Sequence, residues 1–348
     1  MKQYITYMNK CIELAKQAYG QTSPNPLVGC VILNNSGEII STGYHKKYGE
    51  NHAERDALLK LDNAKNCTLV VNLEPCSHFG KTPPCTDLII EKGIKTVVYG
   101  MQDPNPIVGG NGLKKLKDAG INVIGPVLEN ECKKLNETFI KNHTKKQTFI
   151  AIKTATTIDG KIAAYTGDSK WITSEKARNE VRNIRKIYDA ILTSSATVLA
   201  DNPTMEHKRK IILDRTLKTD TKATIYNQGE IYIFHDENIN APETTNNNIN
   251  YIKTPVINNK LDIKFILNKL FELKIMSVIV EAGGEINESI LPFADKIYHF
   301  IAPKILGDNS GKSCFYGATK DKISDCTNLK FEDFQVFEPD ILITYSAL

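Results

Sequence analysis

The distribution of apolar and polar positions predicts alternating strands and helices in the first part of the chain. Residues 4–19 carry apolar side chains at helical spacing and predict an amphipathic helix. Short apolar runs bounded by turn residues predict strands, and the stretches between them predict helices. The predicted strands are 27–33, 38–44, 68–73, 96–100 and 121–124, and the predicted helices are 52–61, 86–92 and 113–119. This alternation is typical of an α/β layered domain.

A polar segment interrupts the alternation, which then restarts. A polar helix followed by a basic linker at 143–146 occupies 131–147. We therefore predict two domains, 1–145 and 146–348. In the second domain the predicted strands are 149–154, 190–193, 210–213, 231–234, 277–280 and 297–302, followed by a β-rich tail, and the predicted helices are 174–188 and 263–273. The Asn-rich segment 244–260 is interpreted as a surface excursion.

Composition and charge narrow the classes of function. The 348 residues carry a net charge of only +4, with no block of like charges, which gives broad nucleic-acid or membrane binding no electrostatic support. No apolar run approaches the length of a membrane span, and the amino terminus lacks the apolar core of a signal peptide. Eight cysteines without secretion signals indicate a reducing, cytoplasmic location.

Three short motifs combine the residue types of a catalytic zinc site. His52, Cys76 and Cys85 supply three N/S ligands, which leaves a fourth tetrahedral position open for water. Glu54 is not needed as a ligand and is predicted to be the catalytic residue that shuttles a proton. This pattern matches that of zinc-dependent nucleobase deaminases. The alternatives are metal-free cysteines or a structural zinc with His78 as the fourth ligand.

The spacing around this motif points to one family. Eight residues separate the two cysteines in EPCSHFGKTPPC, with NPLVG at 25–29 upstream and DPNP at 103–106 downstream. With these strings the chain closely resembles, along its whole length, the bifunctional deaminase/reductase of riboflavin biosynthesis. The resemblance implies a cytidine-deaminase-like three-layer fold for the first domain. It also implies that the pyrimidine substrate is bound by Asn25, His45, His78 and Lys81.

The second half contains two weaker signals. The absence of a G-x-G-x-x-G motif after an early strand argues against a Rossmann site. Gly283 and Gly284 follow a predicted strand and precede a helical stretch. The backbone N–H groups at such a helix start can bind a pyrophosphate, although two adjacent glycines more often indicate only a turn. Arg178, Arg182 and Arg185 share one face of a predicted helix, and we interpret the first two as a solvated face.

The resemblance implies more about this half. Strings such as KTATTIDGK and GDSKWIT are similar to those of the family's reductase domain, which has a dihydrofolate-reductase-like fold and uses NADPH. The implied cofactor contacts are Ala155, Trp171, Thr197, Asp201, Arg215, Gly283, Gly284, Glu285, Ile286, Asn287, Glu288 and Ser289. The implied substrate contacts are Lys153, Ser169, Arg185, Met205, Lys208, Arg209 and Glu281. Arg215 could bind the cofactor's 2′-phosphate bidentately.

One segment departs from the family pattern. The family usually places an arginine that helps to hold the reductase substrate where this chain has Lys208, with Arg209 one step later. The strand at 210–213 follows at once, so the loop is short. Lys binds a phosphate as a point charge without the planar fork of Arg. We therefore expect Lys208 and Arg209 to share the role, with weaker substrate binding.

The motif predicts a zinc enzyme, and the family resemblance implies that it also uses NADPH. The resemblance further implies that the enzyme deaminates a phosphorylated diaminopyrimidine and then reduces the ribosyl group of the product to ribityl. The nearest alternative is a nucleoside or tRNA deaminase fused to an unrelated reductase, but a basic groove would then be expected. A zinc-stabilised scaffold is the non-enzymatic alternative. We expect small-molecule partners, no nucleic acid and no membrane, and the sequence leaves a homo-oligomer open.

Overall fold

The computed structural model describes residues 2–80, 82–105, 109–243, 246–317 and 319–347. The chain divides into two compact units, Met1–Lys146 and Gln147–Leu348. Among the described residues, no helix is long and apolar enough to cross a membrane.

The amino-terminal unit is an α/β structure around one mixed sheet. Its elements are α1 (Ile5–Lys16), β1 (Gly29–Leu33), β2 (Ile39–Tyr44), α2 (Ala53–Leu58), β3 (Thr68–Leu73), α3 (Cys85–Glu91), β4 (Thr96–Met101), α4 (Asn111–Asp118), β5 (Asn122–Ile124), α5 (Glu129–Leu135) and α6 (Glu137–Lys145). The strand order is β2-β1-β3-β4-β5, with β1 antiparallel to both neighbours and the remaining pairs parallel.

Helices cover both faces of this sheet, so the unit has three layers. Strands β1, β3 and β4 are almost wholly buried and form near-continuous apolar runs, as expected for strands covered on both faces. A Cβ on Gly29 would lie 2.0 Å from the carbonyl oxygen of Cys11 in α1, and a Cβ on Gly43 would lie 2.4 Å from that of Ala53 in α2. Glycine therefore allows α1 and α2 to pack directly on the strands.

The carboxyl-terminal unit contains a larger sheet. The elements of this unit are β6 (Phe149–Thr157), β7 (Lys161–Ala163), α7 (Glu175–Arg185), β8 (Ala190–Ser194), α8 (Ser195–Asp201), β9 (Arg209–Leu213), β10 (Glu230–Asp236), β11 (Ile249–Thr254), β12 (Val256–Ile257), β13 (Lys260–Leu261), α9 (Ile263–Glu272), β14 (Ser277–Val280), α10 (Gly284–Ile290), β15 (Lys296–Ala302), β16 (Lys312–Ser313), β17 (Leu329–Phe337) and β18 (Asp340–Ala347). The strand order in the larger sheet is β11-β10-β9-β8-β14-β6-β15-β18-β17.

The strands from β11 to β15 run parallel, and β18 and β17 add an antiparallel edge. Apolar clusters lie on both faces of this sheet. Because the carboxyl ends of parallel strands share one edge, the segments that follow β6, β8, β9, β14 and β15 all begin there.

Two regions differ from the sequence-based expectation. The Asn-rich stretch 244–260 was expected to be a surface excursion, but it contains β11, which pairs with β10 along the sheet edge and buries Ile249 and Thr254. The expected polar helix is two helices, α5 and α6, which meet at the buried residue Asn136.

Substitution of Gly29 tests the close packing of α1 on β1. We expect Gly29→Ala to lower the free energy of unfolding by about 1–3 kcal/mol, because the added methyl group would overlap the backbone of Cys11. Gly80→Ala is the control, since a Cβ there would meet nothing within 4 Å. Urea unfolding followed by circular dichroism measures both variants. Equal stability of the two would contradict the close contact.

Candidate functional site

Three donor side chains meet in the amino-terminal unit. His52 immediately precedes α2, Cys76 follows β3, and Cys85 begins α3. Their donor atoms lie within 4.8 Å of one another. His52 Nδ1 is 3.4 Å from Cys76 Sγ and 3.6 Å from Cys85 Sγ. The strand end and the two helix starts therefore bring together the three residues that the sequence motif singled out.

This donor set fits a zinc ion. Nitrogen and sulfur ligands of a tetrahedral zinc with ordinary bond lengths lie ~3.5 Å apart, as the imidazole and the two thiols do. Among the described residues, this cluster contains His52, Cys76 and Cys85 but not His78. Three protein ligands leave one position open, as in catalytic zinc sites. The geometry thus gives no support to a closed structural site.

The environment of the two thiols favours a negative charge on Cys76. Hydrogen bonds from the Cys85 side chain, from His52 and from the Cys85 backbone hold the pKa of Cys76 well below its usual range, at about 4. The backbone N–H of Cys85 donates to Cys76 Sγ at 3.3 Å. Because the thiolate is the form of cysteine that binds metal, this environment prepares the site for a cation.

Glu54 lies in the first turn of α2, beside the donors but outside the donor set. It is only 3% exposed. Burial raises the pKa of Glu54 to about 7, and the nearby charge of Cys76 adds to this effect. A carboxyl group that can bind and release a proton near neutral pH suits general acid/base catalysis.

Asn25 and His45, which were expected to bind substrate, are linked to this cluster. Asn25 Nδ2 lies 3.1 Å from His45 Nε2, and His45 Nδ1 lies 3.0 Å from the carbonyl oxygen of Asn51. That carbonyl can only accept, so Nδ1 carries the proton and Nε2 accepts from Asn25. Burial lowers the pKa of His45, which favours the neutral ring. The rings of His45 and His52 are 5.4 Å apart.

A second polar cluster lies at the carboxyl edge of the larger sheet. Glu281 follows β14 and accepts from Arg185 Nε at 2.6 Å and Arg185 Nη2 at 2.9 Å. Lys153 Nζ on β6 donates to the same carboxylate at 3.3 Å. Although burial alone would raise the pKa of Glu281, the charges of Lys153 and Arg185 lower it to about 2. Three residues expected to bind the reductase substrate are thereby brought together.

The chain has known relatives that match along nearly its whole length. Residues 1–101 match the model of the cytidine and deoxycytidylate deaminase zinc-binding region, and residues 148–343 match the RibD C-terminal domain. The riboflavin biosynthesis protein RibD of Actinobacillus pleuropneumoniae is 38% identical, covering 99% of this chain and 95% of that protein. RibD of Aquifex aeolicus is 42% identical over 87% of each chain.

The chain belongs to the RibD family. Its fold is similar to the crystal structure of a diaminohydroxyphosphoribosylaminopyrimidine deaminase/5-amino-6-(5-phosphoribosylamino)uracil reductase from Thermotoga maritima. The TM-score is 0.89 at 39% identity, covering 100% of this chain and 99% of that one. RibD of Acinetobacter baumannii gives a TM-score of 0.88 at 31% identity with the same coverage. The expected fold, a cytidine-deaminase-like domain followed by a dihydrofolate-reductase-like reductase domain, is confirmed.

The residues expected to bind the cofactor are distributed along the carboxyl edge. Ala155 lies on β6, Thr197 and Asp201 lie on α8, and Arg215 follows β9. Gly283 precedes α10, and a Cβ there would meet nothing within 4 Å, so the turn is open to a ligand. Asn287, by contrast, is fully buried and donates to the carbonyl oxygen of Cys314 at 2.9 Å. The remaining α10 residues of the expected set are Gly284, Glu285, Ile286, Glu288 and Ser289.

Two of the expected substrate contacts, Met205 and Arg209, interact with other parts of the second unit in this structure. Met205 is 6% exposed and belongs to the apolar cluster on one face of the larger sheet. Arg209 is the first residue of β9 and lies three residues before the position of that strand that is level with Glu281. The Nε of Arg209 donates to Glu230 at 2.9 Å. The shared role of Lys208 and Arg209 stays a prediction. Lys81 lies outside the described residues.

Arg178 makes a contact that the sequence analysis did not predict. The sequence suggested a solvated arginine, but the guanidinium of Arg178 stacks on the indole of Trp171, 4.3 Å from the ring centroid. It also donates to the carbonyl oxygen of Thr173 at 2.6 Å, and Lys304 Nζ donates to the carbonyl oxygen of Trp171 at 2.6 Å. Trp171 is thus held while its side chain stays 62% exposed.

Glu74 is a second residue that the sequence reasoning missed. Its buried carboxylate accepts from the backbone N–H groups of Asp103, Gly110, Gly112 and Leu113 at 2.9–3.3 Å. Since Glu74 lies two residues before Cys76, it ties this later segment to the metal-donor cluster. Its position next to Pro75-Cys76 was the available signal, but the spacing alone does not reveal its partners.

The one tryptophan of the chain reports directly on the contact with Arg178. We expect Arg178→Ala to increase acrylamide quenching of Trp171 fluorescence and to lower its anisotropy, because the stacked guanidinium is lost. Arg182→Ala is the matched control, since Arg182 lies one turn further along α7 and donates to Asn179 instead. Identical quenching in the two variants would show that the stacking does not hold the indole.

Proposed function

We propose that this chain catalyses two successive reactions of riboflavin biosynthesis. The first is deamination of 2,5-diamino-6-(5-phosphoribosylamino)pyrimidin-4-one. The second is NADPH-dependent reduction of the ribosyl group of 5-amino-6-(5-phosphoribosylamino)uracil to ribityl. One observation supports the first activity above all: the donor atoms of His52, Cys76 and Cys85 lie as far from one another as the ligands of one zinc ion do. Glu54 is buried beside them. Family membership over nearly the whole chain supports the second.

The deaminase site contains the groups that an aminohydrolase needs. Zinc held by His52, Cys76 and Cys85 would supply a Lewis acid that activates water. Glu54 takes the proton of the attacking water and passes it to the departing ammonia. Asn25 and His45 border the site as paired polar groups that can orient the pyrimidine. We assign Lys81 and His78 to the same pocket on the strength of the family resemblance.

The reductase site would use charge to bind a phosphorylated sugar. Glu281 neutralises much of the positive charge of Lys153 and Arg185, and it fixes both side chains at the end of β14. NADPH, when bound, supplies a hydride to C1′ of the opened ribose. The residues that would hold the cofactor include the open turn at Gly283 and the exposed indole of Trp171. Arg215, which follows β9, is proposed to bind the 2′-phosphate.

We also propose that the enzyme acts in the cytoplasm on small molecules, independently of nucleic acid and membranes. Cysteines stay reduced, and so remain able to bind metal, in the cytosol, where disulfides are rare. Within the described residues, all eight cysteines are free thiols. The modest net charge of +4 gives no basis for a broad nucleic-acid surface.

Replacement of Glu54 tests the deaminase mechanism. We expect Glu54→Gln to retain about one zinc per chain, because Glu54 is not a ligand, while ammonia release falls by at least ~10²-fold. Metal content is measured by elemental analysis, and NADPH oxidation by the same variant serves as an internal control for folding. Near-normal deamination by a variant with full zinc content would refute the role of Glu54.

Separation of the two units tests the domain assignment. We propose that residues 1–145 form the deaminase domain and residues 146–348 the reductase domain. The division of the chain into two compact units after Lys146 supports this assignment. A fragment 1–146 should release ammonia, and a fragment 147–348 should oxidise NADPH with the deaminated substrate. The assignment fails if neither fragment folds or if activity requires both fragments together.

A further inference from the structure

Asn136, at the junction of α5 and α6, binds both backbone polar groups of one residue far away in the sequence. Its Oδ1 accepts from the N–H of Leu27 at 2.8 Å, and its Nδ2 donates to the carbonyl oxygen of Leu27 at 3.0 Å. Asn136 is 2% exposed. The side-chain amide therefore pairs with Leu27 as a neighbouring strand would, just before β1 begins.

A second buried amide completes this clamp. Asn72 on β3 donates from Nδ2 to the same carbonyl oxygen of Leu27 at 2.9 Å and accepts from the N–H of Gly29 at 2.7 Å. Asn72 is fully buried. Two side chains thus satisfy three backbone groups between Leu27 and Gly29. Losing either one would leave buried polar groups unpaired, which is costly.

The segment held in this way leads directly to the metal-donor cluster. Asn25, two residues before Leu27, donates to His45, and the N–H of His45 donates to the carbonyl oxygen of Val28 at 2.9 Å. His45 in turn contacts the carbonyl oxygen of Asn51, the residue that precedes His52. A continuous path of hydrogen bonds therefore runs from Asn136 through the segment 25–29 to the edge of the candidate zinc site.

We propose that Asn136 is a positioning residue of the deaminase, which fixes the segment 25–29 so that Asn25 is presented to the substrate. The proposal rests on the proposed deaminase function for its catalytic consequence. Asn136 lies well beyond residue 101, where the match to the deaminase zinc-binding region ends. The functional unit of the deaminase accordingly includes α5 and the start of α6.

Hydrogen–deuterium exchange tests the clamp itself. We expect Asn136→Ala to increase exchange at Leu27 and its neighbours, because the N–H of Leu27 loses its acceptor. Cys132→Ala is the matched control, since Cys132 is a buried core residue on α5 that packs against Gly100 and makes no bond to Leu27. Equal protection of the segment 25–29 in Asn136→Ala and the wild type would overturn the clamp, whatever the activity of the enzyme.

A double-mutant cycle tests the route through Asn25. In the full-length zinc enzyme, we expect Asn136→Ala to raise the KM for the diaminopyrimidine about tenfold, with a smaller effect on kcat, unchanged zinc content and normal reductase activity. In an Asn25→Ala background the same substitution should have little further effect. Independent, multiplying effects, or a KM change matched by Cys132→Ala, would overturn the proposal. If the wild type releases no ammonia from this substrate, the proposed function fails, while the exchange experiment still decides the clamp.

Discussion

The candidate sites depend on one constraint: the irregular segments that carry them contain backbone polar groups turned away from water, and these groups need partners other than a regular strand or helix. In the amino-terminal unit, polar side chains supply these partners. Glu74 accepts four backbone N–H groups, and Asn72 and Asn136 together bind the backbone between Leu27 and Gly29. In the other unit, Asp214 does the same, because its carboxylate accepts from the N–H groups of Lys218 and Thr219. These hydrogen bonds tie irregular segments to the sheets beside them.

Charge compensation is the second condition that the sites meet. Glu281 is nearly buried, and an unpaired carboxylate at such a position would be strongly destabilised. Lys153 and Arg185 pair with it, so that the cluster carries a net positive charge at the sheet edge. At the other site the positive charge would come from the metal, which suits the lowered pKa of Cys76. Charge is thus compensated within the chain at Glu281, whereas a bound metal would compensate the charge of the donor cluster.

The positions of several strands and the three metal donors could be predicted from residues that are close together in the sequence. The strands β3, β4, β6 and β14 are short apolar runs, and they occur within a residue or a few of the predicted positions. The donors His52, Cys76 and Cys85 were identifiable because their residue types and spacing have few other chemical uses. The match to a RibD protein over nearly the whole chain agrees with the interpretation of these donors as a deaminase zinc site.

What the sequence by itself determined was the set of elements, the zinc-type donors and the two-part α/β organisation, because these depend on local periodicity and on residue chemistry. Only the tertiary structure decided which polar side chains support the sites. Asn136 and Leu27 are separated by 109 positions, and Arg178 was indistinguishable from a solvated arginine until Trp171 was found beneath it. The pairing of β11 with β10 was likewise hidden in an Asn-rich stretch. The contact of Asn136 with Leu27 forms only when the fold brings distant segments together, and the other two depend on the course of the backbone, which no local pattern of residue types encodes.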